Sequence, residues 1–233
     1  MKDAKSLLDG LLGGLGQGSG AGLGGMATKA KGAWDGQSGL TKGAIAGGLL
    51  GILVGGSGTR KLAGSALKVG GAALVGGLAY KAWQDWQAGK SAGAPETGPL
   101  ALPAPEGTAF LPSDPFAAND LSQRLVQAMV AAAKADGHVT KMERSRIGIQ
   151  LDQLGLGAEA HALISAELDA PLDVGRVAAL ARTPEEAAEV YAASLLVVDP
   201  EAPAERGYLA MLAARLQLEP GLVEHLHARA AAL

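Results

Sequence analysis

From Asp120 to the C-terminus the apolar positions step by three and four. Leu121, Leu125, Ala128, Met129 and Ala132 share one helical face, and Ile147, Leu151 and Leu154 share another. Start signals punctuate this pattern. Thr140 with Glu143 has the spacing of a capping box. Thr183-Pro184-Glu185-Glu186 sets a cap, a proline at the first helical position and acids in the first turn. Pro203 with Glu205 repeats that arrangement without a polar cap, while Gly155, Pro171 and Pro220 mark breaks. The pattern predicts helices over 120–135, 141–154, 158–168, 172–181, 184–197, 203–216 and 220–232. No segment alternates as a strand would, so the predicted fold class is all-α: a bundle of about seven helices preceded by glycine-rich helical membrane segments.

The first hundred residues follow a different pattern. Residues 43–59 carry no charge, and Gly43, Gly47, Gly51 and Gly55 recur every fourth position among Ile, Leu, Ala and Val. On a helix these glycines form one narrow face through which two helices can approach closely. Seventeen residues is the low edge of a bilayer span. In water so many glycines would disfavour a helix, whereas in lipid the backbone must satisfy itself internally. A second apolar stretch, 62–80, is interrupted by Lys68 and ends in Tyr80, Trp83 and Trp86, placed as interfacial anchors would be. The expectation is one span or a membrane hairpin. The alternative is a low-complexity tail, against which the length of the apolar run argues.

Composition sharpens this division. Of 35 Gly, 27 lie in residues 1–100. That half has ten basic and five acidic residues, and the remainder ten and eighteen. A basic half beside an acidic half suits an anionic surface, here membrane lipid, and leaves the acidic half no footprint for nucleic acid. Six prolines between Pro95 and Pro115 predict an extended linker. The predicted organisation is a flexible segment at 1–39, a Gly-zipper membrane segment at 40–88, a Pro-rich linker at 89–117 and a helical domain at 118–233. No Cys is present, which excludes disulfides, thiolate metal sites and a cysteine nucleophile. With only eight aromatic residues, the core must rest mainly on Ala, Leu, Val and Ile.

The acidic half carries an internal two-helix repeat. Residues 131–136, ending in Asp136, lead to Glu143-Arg144; residues 194–199, ending in Asp199, lead to Glu205-Arg206 at an offset of about 62. Equivalent helix ends can converge in a pseudo-symmetric bundle. Asp136, Glu143, Asp199 and Glu205 would then suit a hard divalent cation such as Ca²⁺ or Mg²⁺. An equally open reading makes Asp136-Gly137 a turn and Glu143 and Glu205 capping or dipole-matching residues, with Arg144 and Arg206 as ion-pair partners. His225 and His227 are two apart, so they face different ways and read as surface residues, as does His161. No serine sits in an evident nucleophilic arrangement, and Gly55–Arg60 lacks the ending of a phosphate loop.

The string Ala-Lys-Ala-Asp-Gly-His-Val-Thr-Lys-Met-Glu-Arg (133–144) resembles the signature of the TerB-like, tellurite-resistance superfamily. Arg60–Lys68 followed by Gly76–Gln84 resembles the YebE-type inner-membrane proteins of Gram-negative bacteria. Together the two resemblances cover about residues 40–88 and 116–232. They imply a helical domain with suspected divalent-cation binding, a loose link to envelope or metal stress, and a bacterial inner-membrane location with the C-terminal domain in the cytoplasm. Pro200 stands where the first loop has Gly137, which separates the two loops. The expectation is a membrane-anchored, non-catalytic interaction or sensor module, homo-oligomeric through its Gly-rich helix and serving an unidentified protein partner. The alternatives are a Gly-zipper scaffold or pore, or a metal-dependent hydrolase.

Overall fold

The computed structural model describes residues 71–92, 102–137, 145, 147 and 158–232. Among them the chain is all-helical. The elements are α1 (Gly71–Gln87), α2 (Pro115–Ala132), α3 (Ala158–Asp169), α4 (Val174–Ala178), α5 (Pro184–Leu195), α6 (Pro203–Arg215) and α7 (Pro220–Ala231). Ser145 and Ile147 are helical too, inside the predicted 141–154 element.

Helix starts follow the local chemistry. Asp114 caps α2 by accepting from the Ala117 N–H at 2.7 Å, and Pro115 supplies the fixed φ of the first position. This cap starts α2 five residues before the apolar periodicity predicts. Thr183 caps α5 by accepting from the Glu186 N–H at 3.2 Å, as its sequence predicts. Asp173 caps α4, accepting from Gly175 and Arg176. α6 and α7 also begin with proline but have no side-chain cap.

α5 is the centre of the bundle. Every residue from Ala187 to Val198 is buried, and α1, α2, α4, α6 and α7 all pack on it, while α3 lies against α2. A helix covered on every side cannot show an amphipathic stripe, and its near-continuous Ala/Val/Leu sequence is the signature of that position. The core is mostly Ala, Leu, Val and Ile as composition requires, with Phe110, Met129, Tyr191 and Tyr208 added.

α1 corrects the membrane reading for 71–80, the part of the predicted 62–80 stretch that is described. Leu74, Val75, Leu78, Ala79 and Ala82 are each at most 1% exposed. They face α5 and α7 inside the bundle core. The apolar face that resembles a span is satisfied by protein. Tyr80, Trp83 and Trp86 are likewise not free interfacial anchors. Tyr80 and Trp83 pack on Phe110 at ring separations of 5.3 and 6.0 Å, Trp83 meets Trp86 edge-on at 5.5 Å, and Trp86 lies against Gly221. Among the described residues no helix is long and apolar enough to cross a membrane. The predicted span at 43–59, with Gly43, Gly47, Gly51 and Gly55, lies outside the described residues.

The expected linker is corrected as well. Residues 102–111 form a strap across α1. Gly107, at φ +77°, donates to the Leu111 carbonyl at 2.8 Å, and the Thr108 hydroxyl bonds the Pro105 carbonyl at 2.6 Å. This tight turn drives Phe110 and Leu111 into the core at 3% and 5% exposure. The strap crosses α1 at Gly76 and Gly77. A Cβ at Gly76 would come 2.7 Å from the Phe110 carbonyl oxygen, and one at Gly77 would come 3.2 Å from Leu102 and the Pro103 carbonyl. Two glycines let strap and helix touch backbone to backbone. α1 and the strap therefore share one core with the helices at 118–233, across the expected domain boundaries.

Candidate functional site

Two interhelical loops carry the predicted acids that the structure describes. α2 ends at Ala132, and the chain turns through Asp136 to Gly137, whose φ of +85° belongs to the left-handed region that glycine accepts. The Gly137 N–H donates to the Lys134 carbonyl at 2.9 Å. Lys134 itself is buried and serves structure: its ammonium donates to the carbonyls of Glu167 and Ala170 at the end of α3.

The second loop joins α5 to α6. Asp199 Oδ1 accepts from the Glu201 N–H at 3.0 Å, and the Ala202 N–H donates to the Asp199 carbonyl at 3.0 Å. Ala202 cannot cap α6, so Glu205 reaches back and accepts from the Asp199 N–H. Glu205 thus ties the preceding loop to the first turn of α6 without capping the helix. Burial pushes its pKa up; the Asp199 N–H opposes this, while the negative charges of Asp199 and Asp136 reinforce it. The charge of Asp136, in the first loop, thus acts on Glu205 in the second. Asp199 and Glu205 are in contact and half-buried, and Asp136 is exposed. Glu143 lies outside the described residues. Among the described residues no three acids or histidines meet metal-ligating geometry.

Both histidine readings are revised. His225 is 3% exposed and its Nε2 meets the Lys90 carbonyl at 2.9 Å. His227 Nε2 meets the Tyr191 hydroxyl at 2.8 Å. Burial lowers the His227 pKa and raises that of Tyr191 to about 12.

Three charged groupings escaped the sequence reading. In the first, Asp85, 1% exposed, accepts from Lys81 (2.7 and 2.9 Å), Lys90 (2.7 Å) and Arg229 (2.8 Å). Burial alone would raise its pKa, but the lysine hydrogen bonds and the Lys81 and Arg229 charges outweigh it and hold the carboxyl at about 2. The Lys81–Asp85 spacing of four was the available signal. In the second, Arg124 donates to both Glu186 oxygens (2.6 and 2.7 Å) and to the Leu180 carbonyl, while Arg182 pairs with Asp120 at 2.7 Å. Both ion pairs span an offset of 62, the offset of the repeat. The third is Glu189 in the middle of α5. It is 0% exposed and neither oxygen has a hydrogen-bond partner. Its signal was a lone acid inside the apolar run Ala187–Val198.

The described residues form an all-helical bundle with α1 embedded in its core. A family model described as "Protein of unknown function (DUF533)" matches residues 39–230. The chain belongs to this family, the YebE-type family indicated by its sequence. A Yersinia enterocolitica protein, "Uncharacterized protein in ampR 5'region", is 38% identical over 96 residues, which make up 41% of this chain and 69% of that protein. No solved structure matches.

Proposed function

We propose that this chain is a membrane-anchored, non-catalytic interaction or sensor module of the TerB-like type. In this reading its acidic loops receive a divalent cation or a partner, and a Gly-zipper helix at 43–59 anchors and oligomerises it in the bacterial inner membrane. The observation that supports the reading is that the charges of Asp136 and Asp199, from the two copies of the repeat, both act on Glu205. Clustered carboxylates repel one another, and a hard cation such as Ca²⁺ or Mg²⁺ relieves that repulsion through oxygen ligands. Glu143, next in the repeat pattern, is the further candidate ligand. The link to envelope or metal stress belongs to this same proposal.

Calorimetry of the full chain with Ca²⁺, Mg²⁺ and Mn²⁺ tests the cation. Saturable heat that Asp136→Asn abolishes is the expected result, and equal behaviour of wild type and variant overturns it. The full chain is required because α1 and the strap belong to the core. Retention in the membrane fraction after an alkaline wash is expected of the anchor; release into the wash overturns it.

A further inference from the structure

We propose that the N-terminal half of α1 is a lid over the bundle that opens when Glu189 gives up its proton to water. Glu189 projects from α5 towards α1, its Oε1 3.4 Å from where a Cβ on Gly76 would stand. The carboxyl is fully buried and neither oxygen accepts a hydrogen bond. A buried carboxylate without donors is costly, so the closed structure holds the neutral acid.

The surroundings give the ionised form no relief. On its own helix the charged groups acting on it are Glu185 and Glu186, both negative. From α2 comes Arg124, already taken by both oxygens of Glu186. α1 presents the Gly76 backbone, and the strap beyond it the Phe110 carbonyl. Among the described residues, Glu185, Glu186 and Arg124 are the charged groups whose effect on it is resolved, and none of them belongs to α4, α6 or α7, also packed on α5. Burial, reinforced by the two glutamates, holds its pKa well above the usual carboxylate value.

An ionised Glu189 can be hydrated only if a covering element moves. α2 and the start of α5 are tied together by Arg124–Glu186 and Asp120–Arg182. α1 is tied at its C-terminal end, where Asp85 meets Lys81, Lys90 and Arg229. Residues 71–79 contain no polar side chain, so among the described residues apolar packing and the strap hold that half. The Asp85 cluster is the pivot and residues 71–79 are the part that lifts.

Hydrogen exchange on the full chain, from about pH 5 to about pH 8 and corrected for intrinsic rates, reads this motion. Closed α1 binds one proton more than open α1. Protection of the 74–79 amides is therefore expected to fall by up to about tenfold per pH unit within the titration window, while the 121–131 amides of α2 hold theirs. Glu189→Gln, nearly isosteric and never ionised, is expected to abolish that slope. The proposal is overturned if 74–79 protection is independent of pH, if the slope survives in Glu189→Gln, or if α1 and α2 lose protection together. Infrared spectroscopy of the wild type supplies a second reading. A protonated-carboxyl band near neutral pH that is missing from Glu189→Gln is expected, and its absence from the wild type also overturns the proposal.

Discussion

Two buried acids, one on α1 and one beneath it, have opposite fates. At the C-terminal end of α1 Asp85 is ringed by Lys81, Lys90 and Arg229 and stays ionised, with a pKa of about 2. Beneath its N-terminal half Glu189 is equally buried, lacks a donor, and is held protonated. Burial raises both, so burial does not explain the difference; the number of donors does. One end of the helix is fastened by charge and the other depends on an acid remaining neutral.

Removing the fastening should have the largest effect. Asp85→Ala leaves cations without their acceptor, and urea unfolding near pH 7 is expected to show a loss of about 3–5 kcal/mol. Gly76→Ala attacks the other end by pushing a methyl group against the Phe110 carbonyl. A loss of about 1–3 kcal/mol in the same assay is expected. The pH dependences should run in opposite senses. Glu189 has a raised folded-state pKa, so its contribution is fully present below the unfolded value of about 4.5. That contribution falls as pH rises from there through the folded value, by up to about 1.4 kcal/mol per unit, and Glu189→Gln should flatten this part of the stability curve. Asp85 has a lowered folded-state pKa, so its contribution is present above 3.8 and is lost as pH falls through about 2. The smallest effect is a control remote from both acids. A Cβ added at Gly207 in α6 would meet nothing within 4 Å, and Gly207→Ala is expected to add about 0.5–1 kcal/mol.

The helical character of the C-terminal half was legible because caps and prolines are local. Thr183-Pro184 marks α5, and Pro203 and Pro220 mark α6 and α7. The place of α1 was not legible, because an apolar helical face has the same composition whether lipid or protein covers it. Pro-rich 102–115 hid Phe110 and Leu111, since proline frequency says nothing about which neighbouring side chains find a core. Glu189 was visible as an acid in an apolar run, but its lack of a partner depends on α1 and Arg124, which lie far away in sequence.

The two ion pairs at the 62-residue offset carry opposite signs on matching positions: Asp120 faces Arg182 and Arg124 faces Glu186. Were two copies of the first half to pair with each other in the same way, aspartate would confront aspartate and arginine would confront arginine.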